Sequence, residues 1–302
     1  MKNKFVSLQK NKDDMNAYID FQKRFKLLAT KHPKLITNTL SNIFTMRLIG
    51  NKTHGDLAEI GIAEFINQFM YDWRSEHVGK DLFRAKEHEE DIVLINEISN
   101  DKVPVSLKAY GDGPLQLSTD KDSILYPTLV AVKKDIIQGE DLKKVLKSKA
   151  FSIIDTINVM PLIYREDKME CNIMVFNFDS LRNKTDKIVY IPAQHRYDED
   201  TQQVIKAKGR KHPIFMFLDK EGKYICEVRY GNATANALQR GLWTHTKNAE
   251  NYFNSLTNGW IPYEHNETLV KLFRLALNST KLGHIDANKV LQADIDNIRS
   301  VW

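Results

Sequence analysis

Cysteine is scarce in this sequence, and long apolar segments are missing from it. The chain has 302 residues and 2 cysteines, Cys171 and Cys226, which are too few for a disulfide framework or a structural zinc site. Both lie in apolar, strand-like segments, so we expect them to be buried as small hydrophobic side chains. No run approaches the roughly 18 apolar residues of a membrane span, and the N-terminal segment lacks the apolar stretch of a signal peptide. We therefore expect a soluble, cytoplasmic protein without a membrane partner.

Sequence motifs of several other protein classes are also missing. The chain has no glycine-rich cofactor loop after a strand and no Asn/Asp-Pro-Pro-aromatic motif, which argues against a modification methyltransferase. His54, His88 and His245 lack a second histidine or cysteine at ligand spacing, so we expect isolated polar roles for them. No internal repeat and no low-complexity tract is present, which argues against a repeat protein.

Positive charge is concentrated in one part of the chain. The net charge of +5, with 27% charged residues, is compatible with a polyanionic partner but does not require one. Four basic residues lie close together at Lys206, Lys208, Arg210 and Lys211. A nucleic acid would meet this local concentration rather than the overall sum.

Apolar periodicity predicts helices toward both ends of the chain and strands between them. The predicted helices cover 14–50 with a break at Pro33, 53–73, 121–146, 232–256 and 266–277. The predicted strands cover 91–98, 103–108, 159–164, 171–178 and 188–191, followed by a hairpin at 213–230. This order predicts an α/β or α+β architecture. We expect a core domain at 1–190 and a recognition region at 191–302 that packs on it.

The hairpin around residue 100 contains the main candidate site. A turn centred between Ser99 and Asn100 would place Asp91 opposite Lys108. Residues opposite each other share a face of the sheet, with Cβ atoms about 5 Å apart. A carboxylate and an ammonium in this arrangement can hold a divalent cation and a water beside a phosphate. Hard oxygen ligands favour magnesium, and Ser106 on the same face could hold a metal-bound water.

The spacing Asp91…Ser106-x-Lys108 resembles the PD-(D/E)xK nuclease superfamily, in a setting similar to that of type II restriction endonucleases. The matching segments are 89–94 and 104–111, followed by 114–117. In that superfamily the aspartate lies on the first strand of a hairpin and the xK motif on the second. Ser106 departs from the usual acid at the first motif position, and some members take the missing carboxylate from a helix. The resemblance implies a restriction-endonuclease-like mixed sheet flanked by helices, with a C-terminal recognition region.

The helix that begins near Thr53 offers a donor for the missing carboxylate. Its apolar stripe contains Ala58, Ile62, Phe65, Ile66 and Phe69. Glu59 lies about 80° from the centre of this stripe and Glu64 about 140° away. We therefore predict Glu59 as a second metal ligand and Glu64 as a solvated acid, with a solvated role for Glu59 as the alternative. The resemblance also implies a supporting role for Gln116, for which a surface amide is the alternative.

The segment 229–247 combines side chains that contact bases and phosphates. Arginine pairs with guanine, asparagine and glutamine pair with adenine, and hydroxyls and lysine hold phosphates. With the basic run before it, the predicted DNA-contacting residues are Lys206, Lys208, Arg210, Lys211, Arg229, Asn232, Asn236, Gln239, Arg240, Thr244, His245 and Lys247. An ordinary polar surface is the alternative, and Trp243 is expected to be a packing residue.

A second hairpin superficially imitates the first one. Asp219 precedes Glu227 and Arg229 at a similar spacing, but a turn at Glu221-Gly222 would pair position 219 near 224. Arg229 would then lie far along the strand, and its planar fork replaces an ammonium poorly. We expect this hairpin to be structural.

These features together predict a magnesium-dependent restriction endonuclease that acts on double-stranded DNA. The resemblance implies in-line hydrolysis that leaves a 5′-phosphate and a 3′-hydroxyl. The alternatives are a non-cutting nucleic-acid-binding protein on the same scaffold and an RNA nuclease. Many members of the superfamily act as homodimers, and the sequence leaves the oligomeric state open.

Overall fold

Helices lie mainly at the N-terminal end of the chain and between the strands. The computed structural model describes residues 12–49, 54–78, 91–118, 124–152, 158–230 and 241–277, and short helical pieces between 286 and 297. The helices are α1 (Lys12–Lys31), α2 (Pro33–Ile49), α3 (His54–Phe69), α4 (Leu125–Ala131), α5 (Gly139–Leu146), α6 (Lys149–Ser152), α7 (Phe178–Lys184), α8 (Ala249–Tyr252) and α9 (Glu267–Leu277). A 3-10 turn at Thr246–Asn248 precedes α8.

The strands are short and distributed over most of the described chain. In chain order they are β1 (Trp73–His77), β2 (Ile92–Asn96), β3 (Lys102–Tyr110), β4 (Pro114–Ser118), β5 (Ile136–Gln138), β6 (Asn158–Arg165), β7 (Glu170–Phe176), β8 (Lys187–Ile191), β9 (His195–Asp198), β10 (Gln203–Lys206), β11 (Ile214–Leu218), β12 (Tyr224–Arg229), β13 (Gly241–His245), β14 (Phe253–Ser255) and β15 (Ile261–Pro262). The α/β class expected from the sequence is confirmed.

The first sheet is mixed and is covered by helices on one face. Its strand order is β1-β2-β3-β6-β7-β14, and β15 also pairs with β7. Strands β3 and β6 run parallel, whereas the pairs β1–β2, β2–β3 and β6–β7 are antiparallel. Val103, Val105 and Leu107 alternate along β3 and join one hydrophobic cluster with apolar residues of α1, α2 and α3. The period of two residues along a strand places Ser106 and Lys108 on the opposite face.

The second sheet is built from antiparallel pairs in the order β4-β13-β12-β11-β8-β5. Its apolar residues join those of α4, α5 and α6 in a second cluster. Ile163 and Met174 of the first sheet belong to the same cluster. The first sheet therefore contributes to a separate core on each of its two faces.

The predicted division at residue 190 does not separate the two sheets. Strand β4 precedes this point and pairs with β13, which follows it. Strand β8 (Lys187–Ile191) itself spans residue 190 and pairs with both β5 and β11. In the other direction, β14 and β15 pair with β7 of the first sheet. The reason is that long-range strand pairing crosses the boundary, and neither composition nor local periodicity reports such pairing.

Three other segments differ from their predicted form. The helix expected at 53–73 ends at Phe69, and β1 follows at Trp73–His77. The helix expected at 121–146 is α4, then β5 at Ile136–Gln138, then α5. In the segment 232–256, residues 241–245 form β13, and residues 231–240 lie outside the described part. Tertiary pairing overrode the weak helical propensity in each described case.

Several local predictions are confirmed. Helices α1 and α2 meet at Pro33, and the Asn266 side chain accepts a hydrogen bond from Leu269 N (2.9 Å) at the start of α9. The second hairpin turns at 219–223, between β11 and β12. Cys171 and Cys226 are both buried, and burial raises the pKa of each thiol. None of the helices in the described ranges combines the length and the apolarity needed to cross a membrane.

Candidate active site and basic cleft

The hairpin of β2 and β3 has a register that differs from the predicted one. Ile92 pairs with Val105 and Ile95 with Lys102, so the turn is centred one residue earlier than expected. The Asn96 side chain causes this, because its Oδ1 accepts hydrogen bonds from Ile98 N (2.9 Å) and Ser99 N (3.0 Å) and closes the turn early. Continuing the register places Ser106, not Lys108, opposite Asp91. The predicted partner of Asp91 is therefore wrong by two residues along β3. Because side chains alternate between the two faces with a period of two, Lys108 still lies on the same face as Asp91.

Asp91 is therefore close to both Ser106 and Lys108. Ser106 Oγ donates a hydrogen bond to Asp91 Oδ2 (3.0 Å), and Leu107 N donates to the same oxygen (2.6 Å). Lys108 Nζ lies 3.9 Å from Asp91 Oδ2. The predicted meeting of a carboxylate and an ammonium on one face is confirmed, although Lys108 reaches Asp91 diagonally.

The backbone holds Asp91 between two strands. Asp91 N donates to Val105 O of β3 (3.1 Å), and Asp91 O accepts from Val78 N beyond β1 (3.1 Å). The side chains of Asp91 and Lys108 are 19% and 24% exposed, respectively. Water and a ligand can reach both groups, while the lower local dielectric strengthens their attraction relative to a fully exposed pair.

Glu59 and Glu64 differ in burial as the helical geometry predicts. On α3, Ala58, Ile62, Phe65 and Ile66 are buried, whereas Phe69 of the predicted stripe is exposed. Glu59 is half-buried and Glu64 is exposed. However, α3 packs on the face of β3 that carries Leu107, and Ser106 and Lys108 lie on the other face. No three His, Cys, Asp or Glu side chains gather into a metal-holding group within the described ranges.

Gln116 belongs to a different part of the structure from Asp91 and Lys108. It lies on β4 in the second sheet, where it pairs with Trp243 and is 7% exposed. This burial excludes the alternative of a surface amide. The resemblance implied that Gln116, shortly after Lys108 in the chain, supports this site, whereas the chain turns at 111–113 and enters the second sheet.

Apart from Thr244, the predicted DNA-contacting residues fall into three groups. Lys206, Lys208, Lys211 and Lys247 are exposed. Arg210, Arg229 and His245 are half-buried. Asn232, Asn236, Gln239 and Arg240 lie outside the described residues.

Thr244 is a correction to the predicted set. Its side chain is 2% exposed, and Oγ1 donates a hydrogen bond to Ile225 O on the neighbouring strand (2.7 Å). A buried hydroxyl that is already bonded to the backbone has no path to a phosphate. We therefore remove Thr244 from the DNA-contacting residues.

Glu227 is a functional candidate that the sequence interpretation missed. It is 3% exposed, and its Oε1 lies 2.8 Å from Arg229 Nε and 3.6 Å from Arg210 Nη1. The Arg229 guanidinium stacks over the Trp243 ring at 4.0 Å from its centroid. Trp243 is 5% exposed, which confirms it as a packing residue. The available sequence signal was an acidic residue among basic ones. By itself it did not indicate a function, because the burial of this acid and the pairing of β12 with β13 are known only from the structure.

An open cleft lies at the end of β13. It has a volume of about 360 Å³ and is lined by Asp112, Gly113, His245, Thr246 and Lys247. Gly113 has a φ of +125°, a backbone conformation that favours glycine. Thr246 N donates to Gly113 O (2.9 Å), which ties this bend to the end of β13. The bend follows β3 directly, so the same chain segment links the Lys108 strand to the cleft.

His245 lines the cleft and lies within electrostatic range of Glu227 and the two arginines. Its ring contacts Tyr224 with centroids 5.2 Å apart. Burial lowers the pKa of His245 below its ordinary value, and Lys247 and the two arginines act in the same direction, against Glu227. The imidazole is therefore mainly neutral at pH 7.

Comparison with known proteins identifies no relative. No family model matches the chain, and neither curated proteins nor solved structures show significant similarity to it. The function must therefore be argued from the site.

Proposed function

We propose that this protein is a magnesium-dependent, sequence-specific endonuclease of the type II restriction type. It would hydrolyse phosphodiester bonds in double-stranded DNA and leave a 5′-phosphate and a 3′-hydroxyl. The observation that carries the proposal is the position of Lys108 Nζ, 3.9 Å from Asp91 Oδ2 on one face of a hairpin. The PD-(D/E)xK-like spacing supports it further.

The donor atoms at this hairpin suit magnesium. Asp91 supplies a carboxylate, and the Ser106 hydroxyl lies 3.0 Å from it. Magnesium commonly binds through one or two protein carboxylates and keeps several waters, so a site without three acids remains suitable. Asp91 would hold the ion, and bound waters would complete its coordination. When bound, the ion would polarise the scissile phosphate and favour ionisation of a water.

The protein side chains have separate tasks in this proposal. The hydrogen bonds from Ser106 Oγ and Leu107 N orient the Asp91 carboxylate. Lys108, a compact ammonium with three donors, would hold the attacking water and offset the negative charge that develops on the phosphate. The exposed lysines at 206, 208, 211 and 247 would contact phosphates along the duplex.

A cleavage assay with a matched pair of lysine variants tests the proposal. Lys108→Ala should lower magnesium-dependent plasmid cleavage by about 100-fold or more, as the loss of a positioned charge-stabilising donor does. Lys102→Ala removes an exposed lysine of the same strand and should cleave like wild type. DNA binding without magnesium should be equal in all three proteins.

A non-cutting DNA-binding protein is the second candidate. Ser106 at the usual acid position favours it, because a lost acid is a simple route to a lost metal site. Magnesium-independent binding with no cleavage of any DNA by wild type would support this candidate and reject the nuclease. Cleavage of RNA but not DNA would reject the assigned substrate.

A further inference from the structure

The arginine pair around Glu227 differs in character from the lysines near it. The four DNA-contacting lysines are exposed on flexible stems, whereas the side chains of Arg210 and Arg229 retain 31% and 29% of their exposure. Flexible lysines suit phosphates, which need only a nearby charge. A guanidinium that is fixed in position suits recognition of a defined pair of acceptors.

Two contacts fix the Arg229 guanidinium. Glu227 Oε1 binds Nε at 2.8 Å, and the Trp243 ring lies beneath the guanidinium plane at 4.0 Å. Trp243 pairs with Glu227 across β12 and β13, so the three side chains share one face of the sheet. Among the described residues, no acceptor is bonded to the terminal Nη1 and Nη2 groups of Arg229. These are the donors that a bidentate contact uses.

The position of the Glu227 carboxylate next to Arg229 favours a base edge over a phosphate as the ligand of this guanidinium. A carboxylate 2.8 Å from Arg229 Nε would repel a phosphate bound to the same guanidinium. The edge of a base carries no formal charge and avoids this repulsion. The base whose major-groove edge presents two acceptors, O6 and N7, to a planar fork is guanine.

We propose that Arg229 recognises a guanine of the DNA target, and that Glu227 and Trp243 are positioning residues that hold its guanidinium. This rests on the DNA-binding part of the proposed function and adds the identity of one recognised base. Arg210, 3.6 Å from the same carboxylate, helps to hold the Glu227 side chain in place.

The test is a binding experiment in EDTA, so that it does not depend on cleavage. Duplexes bound by the wild-type protein are selected from a random library, and the affinity for the enriched duplex is measured by fluorescence anisotropy. Each guanine is then replaced in turn by 7-deazaguanine, which lacks the N7 acceptor. One replacement should weaken wild-type binding by about 10- to 150-fold, the range for loss of one hydrogen bond to a charged group.

Variants assign this contact to Arg229. Arg229→Lys keeps the charge but loses the fixed planar fork, so it should lose most of the discrimination between the enriched duplex and its 7-deazaguanine form. Glu227→Gln should bind unrelated DNA more tightly, because a negative charge is lost, yet discriminate less between the two duplexes. Lys211→Ala is the control: it should weaken binding to every duplex alike and keep the discrimination. If Glu227→Gln does not fold, the result for Arg229→Lys decides the test by itself.

The results separate this inference from the proposed function. Unchanged sensitivity to 7-deazaguanine in Arg229→Lys would overturn the guanine contact, as would an equal loss of affinity for all duplexes. Neither result bears on the proposed nuclease activity, which the cleavage assay with the wild-type protein tests independently. Enrichment of no sequence by wild type would overturn both the inference and the sequence specificity of the proposed function.

Discussion

Asp91 Oδ2 accepts a hydrogen bond from Leu107 N at 2.6 Å, which is the shortest of its described contacts with β3. This bond ties the carboxylate to the backbone next to Ser106 and Lys108. The side chain therefore has a structural task in addition to the proposed chemical one, and the two tasks can be separated by substitution.

Asp91→Ala should destabilise the protein by about 1–3 kcal/mol, because it leaves the Leu107 amide without its acceptor. Asp91→Asn should cost less, since the amide oxygen still accepts, yet it should abolish cleavage as fully as Asp91→Ala. Urea unfolding and the plasmid assay measure the two effects. Asp112→Ala, at an exposed acid of the nearby bend, is the control for stability. Equal stability of Asp91→Ala and wild type would contradict the structural task.

The two glutamates of α3 provide a matched pair for the metal site. Glu59 is half-buried and Glu64 is exposed on the same helix. Because α3 packs on the face of the sheet opposite Asp91, Glu59→Gln and Glu64→Gln should both leave the magnesium concentration for half-maximal cleavage unchanged. A higher magnesium requirement in Glu59→Gln alone would show that Glu59 is a second metal ligand.

His245 should make stability depend on pH in mildly acidic solution. Its pKa is lowered by burial, with Arg229, Arg210 and Lys247 opposing protonation and Glu227 favouring it. Because the unfolded state takes up the proton first, this group lowers the free energy of unfolding as the pH falls from its ordinary pKa of 6.5 through the lowered value. Urea unfolding at pH 7.5 and at about pH 5 should show a larger loss for wild type than for His245→Gln. An equal loss in both proteins would mean that His245 titrates normally.

Gly61 should resist replacement by alanine although it lies within α3. Helix propensity alone favours alanine by about 1 kcal/mol, but a Cβ at this position would lie 2.6 Å from Ile43 Cγ1 and contact Ile43 Cδ1. Ile43 is 1% exposed, so the expected cost of overpacking is about 1–3 kcal/mol. Gly61→Ala should therefore destabilise the protein, as measured by thermal unfolding.

The same substitution should become favourable when Ile43 is shortened. In an Ile43→Ala background the added methyl group enters the space left by the isoleucine and no longer collides. Simple addition of the two single effects in the double variant would show that α2 and α3 do not pack at this point.

The local sequence pattern was sufficient to predict the hairpin that contains Asp91 and Lys108. Apolar alternation located both strands, and the period of two residues preserved the shared face when the turn moved by one position. Helical periodicity likewise separated Glu59 from Glu64. These features depend on residues that are close together in the sequence, within one hairpin or within two turns of a helix. At that range, sequence spacing predicts distance in space.

Long-range pairing decided the remaining features. Residues 241–245 form a strand because β12 and β4 lie on either side of them, and this pairing brings Trp243 to Glu227 and Arg229. The same pairing placed Gln116 in the second sheet and buried Thr244. Contacts between strands far apart in the chain depend on which edges meet during folding, and no local spacing encodes that choice.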